Sequence, residues 1–442
     1  MLHTLVSTRK MSITKQNIQS VCSYFHIAST LLLFCSIPFF YSRFTQYGLI
    51  FFFSSFAIDY VASERWKKGF KINYSRIISF FILLQVVFLY VFSFFEQEPR
   101  YLSTLYEYRL AFAGFGIVGL LGVSDKFRVR HFAYSMLISA IVLCVLLYLS
   151  LPPWFSDVAT LEVKLEVLRH TRALQVCSHM TINIFLCVAI ALFTKVFTLS
   201  KLKLEKAFSV LAIIVYFAMI MLSEGRVGML NGCILMGCIL LRASMHKLRY
   251  LIPMLVMFVV ITLSGFLIAT TNNPIRSKIS ALNKPNPREY IWEEGINKIK
   301  ESPIVGVGAS TNAAQLKDIL LSNEDLIKTE KFLLDNLKQD KVYAMHPHNQ
   351  IMQSWLEYGL LGLLVILGLF TTILLAIRGS LTLNLIFIPI FVQLQTEVID
   401  GGITTVGFCT YIYLMLVLLE SKQVGKEKIG GFKWISRSPS NA

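Results

Sequence analysis

The sequence predicts an all-α polytopic membrane protein of about twelve transmembrane helices with one large helical loop on one side of the bilayer. Three observations carry that prediction: composition, the spacing of the apolar runs, and an uneven distribution of basic residues. Hydrophobic residues make up 55% of the 442-residue chain, charged residues only 15%, and the mean hydropathy is +0.62. A water-soluble protein of that length needs far more polar surface.

The polar residues up to Asn17 lead into an apolar run without a small-residue cleavage site, so that run reads as a retained first span. Apolar runs then follow near residues 21–40, 47–62, 77–95, 105–123, 131–151 and 176–194, and again near 207–222, 227–241, 250–270, 350–376, 381–396 and 403–419. The runs at 47–62, 207–222 and 227–241 are short enough to suggest a tilted pair or a re-entrant element. Between the ninth and tenth runs lies the polar stretch 271–349. The expected divisions are a membrane bundle over 1–270, a loop with amphipathic helices over 271–349, and membrane helices with a basic tail over 350–442.

An even number of spans puts both termini on one side, and basic residues choose the side. With the N-terminus inside, the inner segments hold 24 Lys and Arg and the short outer connections hold six. The long loop is exempt from that rule. The basic tail reads as anchoring to anionic lipid, so a net charge of +16 calls for no nucleic acid. None of the eight cysteines forms a CxxC pair near histidines, which argues against zinc and a disulfide framework; they read as small core residues.

Chemistry-bearing residues concentrate on the outer side. His346-Pro347-His348-Asn349 stands where the long loop meets the run 351–377. Proline suits a first helical position, which predicts His348 and Asn349 in the first turn, beside unpaired N–H groups able to receive an anion. The plain alternative is a polar cap that contains histidine. Upstream, Ile291, Trp292, Ile296 and Ile299 recur at helical spacing; Ser302-Pro303 closes that helix, and Ile304-Val305-Gly306-Val307-Gly308 forms a bend. A second amphipathic region covers 311–341. Arg226 follows the turn Ser223-Glu224-Gly225; interfacial snorkelling is its plain alternative, and a surface charge is that of Arg288. Glu107 with Arg109 and His179 with Asn183 fall inside spans, where pairing within the bundle or snorkelling is the favoured reading. Glu397 and Asp400 lie where they could line an acceptor path.

Four motifs in this order resemble the O-antigen ligase and O-antigen polymerase superfamily of bacterial inner membranes. They are Ser223-Glu224-Gly225-Arg226-Val227-Gly228; Arg288 and Trp292 ahead of Ser302-Pro303-Ile304-Val305-Gly306-Val307-Gly308; His346-Pro347-His348-Asn349; and Glu357-Tyr358-Gly359-Leu360-Leu361-Gly362. Here Glu224-Gly225 stand between the serine and the arginine of the first motif. The resemblance implies a GT-C-like glycosyltransferase, multi-pass in the bacterial inner membrane, with cytoplasmic termini and a periplasmic loop and active site. Its donor would be undecaprenyl-diphosphate-linked O-antigen and its acceptor the lipid A–core oligosaccharide. A related polymerase or protein-targeting oligosaccharyltransferase is the alternative, and a lipid-linked sugar transporter is the alternative from another class.

The residues fit that chemistry. Arg226 and Arg288 would neutralise a diphosphate through planar, multidentate donors. His348 would accept the proton of the attacking hydroxyl, with His346 as the lesser choice and Asn349 in support. A single displacement inverts the anomeric centre. The leaving group is already a diphosphate, so the expectation is a reaction without a metal or cofactor.

Overall fold

In the computed structural model the described residues are 2–39, 43–96, 102–124, 126–149, 179–222, 226–245, 287–322, 346–395 and 404–421, and among them the fold is helical throughout. The bundle helices are α1 (Leu2–Ser36), α2 (Arg43–Ala62), α3 (Tyr74–Phe92), α4 (Leu102–Leu121), α5 (Val129–Leu149), α6 (His179–Leu199), α7 (Lys203–Leu222) and α8 (Arg226–Met245). Then come α9 (Pro287–Glu301) and α10 (Ala309–Ser322) from the polar loop, followed by α11 (Gln350–Ile377), α12 (Leu381–Leu394) and α13 (Thr404–Glu420).

Eleven of the twelve expected runs coincide with helices; the run at 250–270 lies outside the described residues, as does 323–341 of the second amphipathic region. The three short runs are longer as helices than as apolar stretches. Each extends into a 20-residue helix by recruiting flanking polar residues such as Arg43, Lys203 and Arg242. Among the described residues, five helices are long and apolar enough to cross a membrane, and five more are shorter apolar helices. The chain is a membrane protein.

The helix α6 is the hub, packed by α5, α7, α8 and α12. Its residues from Phe185 to Phe193 are no more than 1% exposed. A helix apolar all round belongs at the centre of a bundle. With lipid outside, close approach rather than water exclusion holds such helices together. On α4, Gly116 and Gly119 supply it: a Cβ at Gly116 would overlap Leu83, and one at Gly119 would overlap Ser79, both on α3. Leu110, Ile138, Leu211 and Leu364 point outward and are more than half exposed, as lipid-facing residues should be. The seven cysteines among the described residues are all unpaired; Cys187 and Cys409 are buried, whereas Cys144 is exposed and so is not a core residue.

Cross-links sort the helix termini into two ends. At one, Glu420 closing α13 accepts from Asn73 Nδ2 (2.8 Å) and Ser75 Oγ (2.7 Å) at the start of α3. There too, Arg65 and Arg76 donate to the Gly122 and Leu120 carbonyls that end α4 (3.0 and 3.1 Å). Cations at a helix C-terminus satisfy both its free carbonyls and its dipole. Arg130 of α5 pairs with Glu205 of α7 at the same end (2.8 Å). The opposite end carries the close of α3 and the starts of α8, α10 and α11. This is the end where the chemistry-bearing residues gather.

Candidate active site

Helix α11 starts later than proline placement predicts. The first helical residue is Gln350, not Pro347, and Asn349 is the N-cap, extended at φ −148°, ψ 118°. Its Oδ1 accepts from the Ile351 and Met352 N–H groups (3.0 Å each). Pro347, His348 and Asn349 therefore precede the first turn, and two of the N–H donors expected to serve an anion are committed to Asn349. Asparagine outranks proline here because its carbonyl satisfies two orphan donors at once. His348 turns the chain into that cap with φ 53°, in the left-handed region that costs a histidine less than a branched residue.

Two indoles hold the stretch in place. Trp292 Nε1 of α9 donates to the Pro347 carbonyl (2.6 Å), and Trp355 Nε1 of α11 donates to the Pro303 carbonyl (3.1 Å). His348 N–H donates to His346 Nδ1 (3.3 Å), and the two imidazole centroids lie 4.3 Å apart at 64°. A nitrogen that accepts from a backbone N–H carries no proton of its own, so a neutral His346 keeps its proton on Nε2. Both rings are half-buried. The arrangement presents a base at a partly dried surface.

Below the imidazoles, the second and fourth motifs are one construction. Helix α11 is interrupted at Tyr358 (φ −126°, ψ 15°) and Gly359 (φ 58°, ψ −146°). The bend closes onto that interruption: Val307 N–H donates to the Leu356 carbonyl (2.7 Å), Gly308 N–H to the Glu357 carbonyl (3.1 Å), and Leu360 N–H to the Ile304 carbonyl (3.1 Å). A Cβ at Gly306 would sit 2.5–2.7 Å from Gly359 N and the Glu357 and Leu356 carbonyls, so only glycine lets the two backbones meet. The glycines of both motifs serve backbone pairing rather than a phosphate cradle.

Glu96, just past α3, locks the bend from the bundle side. Its carboxylate accepts from Ser310 N (3.2 Å), Thr311 N (3.0 Å) and Thr311 Oγ1 (3.1 Å) at the start of α10. Sequence reasoning missed it, because a partner more than 200 positions away leaves no local pattern. Asn312 of α10 donates to Gln353 (3.5 Å), and Gln353 in turn donates to Glu357, whose side chain is fully buried. The polar chain thus runs from α10 into α11 one turn below the cap.

Arg226 is the first residue of α8, and Arg288 is the second residue of α9, one turn before Trp292. Their side chains lie outside the described residues, as do Ser223, Glu224, Gly225, Glu397, Asp400 and the side chains of Glu107, Arg109 and His179. Asn231 of α8 donates to the Pro389 carbonyl (3.2 Å) toward the close of α12. Because α12 returns from α11 through a tight turn, the α8 start shares the end of the bundle at which α11 begins. Among the described residues no group of three or more His, Cys, Asp or Glu side chains gathers as a metal site would.

A family model described as O-antigen ligase matches residues 210–367, from within α7 through the interruption in α11. No match was found among curated proteins. The matched segment contains the start of α8, α9, α10, the histidine pair and the interruption in α11, but neither Glu96 nor α12.

Proposed function

We propose that this chain, whose residues 210–367 match the O-antigen ligase family model, transfers O-antigen glycan from undecaprenyl diphosphate to lipid A–core oligosaccharide. The observation that carries the reading is the histidine pair held at the α11 cap, with the starts of α8 and α9 bringing Arg226 and Arg288 to the same end of the bundle. Twelve spans with the N-terminus inside put that end in the periplasm of the bacterial inner membrane, facing away from the basic loops.

In the reaction the acceptor hydroxyl oxygen attacks the anomeric carbon as the bond to the diphosphate oxygen breaks. The hydroxyl proton passes to His348, and undecaprenyl diphosphate departs with the bonding electron pair. Arg226 and Arg288 neutralise the charge that develops on it. Attack opposite the leaving group inverts the sugar. Neither a metal nor a cofactor is part of this proposal.

Deleting the gene and resolving lipopolysaccharide on a gel tests the acceptor. Loss of all O-antigen from lipid A–core, with lipid-linked polymer accumulating, supports the ligase; a single-repeat band shows a polymerase instead. His348→Ala should abolish transfer at normal protein level, and retained transfer removes the general-base assignment. Arg226→Ala and Arg288→Ala should each raise the donor KM severely. Wild-type donor kinetics would reduce both to surface charges.

A further inference from the structure

We infer that Asn183 of α6 belongs to the donor site, its carboxamide donating to a phosphate oxygen of the lipid-linked diphosphate at the start of α8. This rests on the donor reading above and adds a residue to it.

Three observations meet at this side chain. Asn183 is 1% exposed, and neither its Nδ2 nor its Oδ1 has a hydrogen-bond partner. A buried amide left unpaired forfeits its hydration without a compensating hydrogen bond, so packing alone gives no reason to keep one there. Its place is specific: a Cβ at Gly228 would overlap the Asn183 carboxamide. The glycine that ends Ser223-Glu224-Gly225-Arg226-Val227-Gly228 is therefore what admits the amide to the first turn of α8. That turn, opened by Arg226, presents backbone N–H groups and the positive end of a 20-residue helix dipole.

Depth agrees as well. Asn183 is the fifth residue of α6 and Gly228 the third of α8, which puts the amide roughly 6 Å or less below the helix starts. A lipid phosphate under a periplasmic headgroup reaches that level while its prenyl chain stays in the hydrocarbon. Asn231, one turn deeper on α8, makes the contrast: its Nδ2 is engaged by the Pro389 carbonyl (3.2 Å), a contact internal to the bundle, and Oδ1 alone has no partner there. A neutral amide beside Arg226 adds a directional donor without adding charge. That is what distinguishing a diphosphate from a monophosphate at one site requires.

The test uses the full-length protein in lipid nanodiscs, titrated with undecaprenyl diphosphate and with undecaprenyl monophosphate, alongside thermal unfolding. Asn183→Leu, which removes an unpaired buried amide, should hold or raise Tm while weakening undecaprenyl diphosphate binding at least tenfold and monophosphate binding less. Asn183→Ser, which cannot reach the same atom, should show the same loss and carries the result if the leucine variant does not fold. Wild-type binding in both variants, with Arg226→Ala defective, overturns the role of Asn183 and leaves the donor reading standing. A lower Tm with unchanged affinity also overturns it, making Asn183 a packing residue. Unchanged binding in Arg226→Ala as well removes the donor reading itself, and this inference with it.

Discussion

The two ends of the helix bundle are held by different chemistry. At the basic end, ion pairs and arginine–carbonyl bonds join helices: Arg65 pairs with Asp59 and also donates to the Gly122 carbonyl, Lys126 donates to Ser23 Oγ (2.8 Å), and Arg130 pairs with Glu205. At the loop end, most links are backbone-to-backbone or through neutral amides and indoles; among the described residues the carboxylates of Glu96 and Glu357 accept from neutral donors, and the Lys298–Glu301 pair stays within α9. The difference teaches where fixed charge is tolerated. Under the proposed function, an end that receives a polyanionic lipid keeps arginine and lysine out of its helix-to-helix bonds, so that its cations remain available to substrate. The far end can use arginine simply to close helices.

Breaking the loop end at its backbone junction should give the largest effect. Gly359→Ala forces a side chain into a glycine-only conformation and against the Ile304 carbonyl. It should cost at least about 3 kcal/mol and abolish transfer, read as lost folded protein by size-exclusion and lost O-antigen on gels. At the basic end, Arg65→Met leaves Asp59 buried without its cation (side chains 10% and 2% exposed). The expected loss is about 3–5 kcal/mol in detergent unfolding, with kcat per folded molecule unchanged; restoration by adding Asp59→Leu would identify the pair as purely structural.

A smaller change sharpens the contrast. Asn349→Ala removes the cap shared by Ile351 and Met352 and should cost about 1 kcal/mol of stability. Transfer should fall out of proportion to that loss, because His348 reaches its geometry through the cap. Equal losses would show that the cap only stabilises α11. The smallest effect belongs to Glu64, a half-exposed loop carboxylate held below the usual carboxylate range by Lys15 and then Lys67. Glu64→Gln should leave Tm and transfer alike. Any gain of stability from that pair would be present at neutral pH and lost as pH falls through the lowered pKa.

How much was legible beforehand depends on whether the deciding partner is local. The end of α9 before Ser302-Pro303 follows from residues within a turn or two, and the structure agrees. The start of α11 does not, because Pro347 and Asn349 offer competing local solutions and Trp292 pins the proline carbonyl from another helix. The interruption at Tyr358–Gly359 is invisible in a continuous apolar run. It exists because the bend from 303–308 supplies hydrogen bonds that replace those of the helix.

Sequence alone determined that this chain lies in a membrane, which runs form helices, and that the His346–His348 pair, Trp292 and the glycine motifs gather in and around one loop. Those properties follow from hydropathy and short-range backbone preference, and both can be counted along a chain. Tertiary structure decided that Gly306 and Gly359 are two halves of one junction, that Glu96 latches α10, and that Gly228 makes room for Asn183. Each depends on two backbones meeting within van der Waals distance. Residues 45 to 215 positions apart leave no periodic trace of that contact in a single sequence.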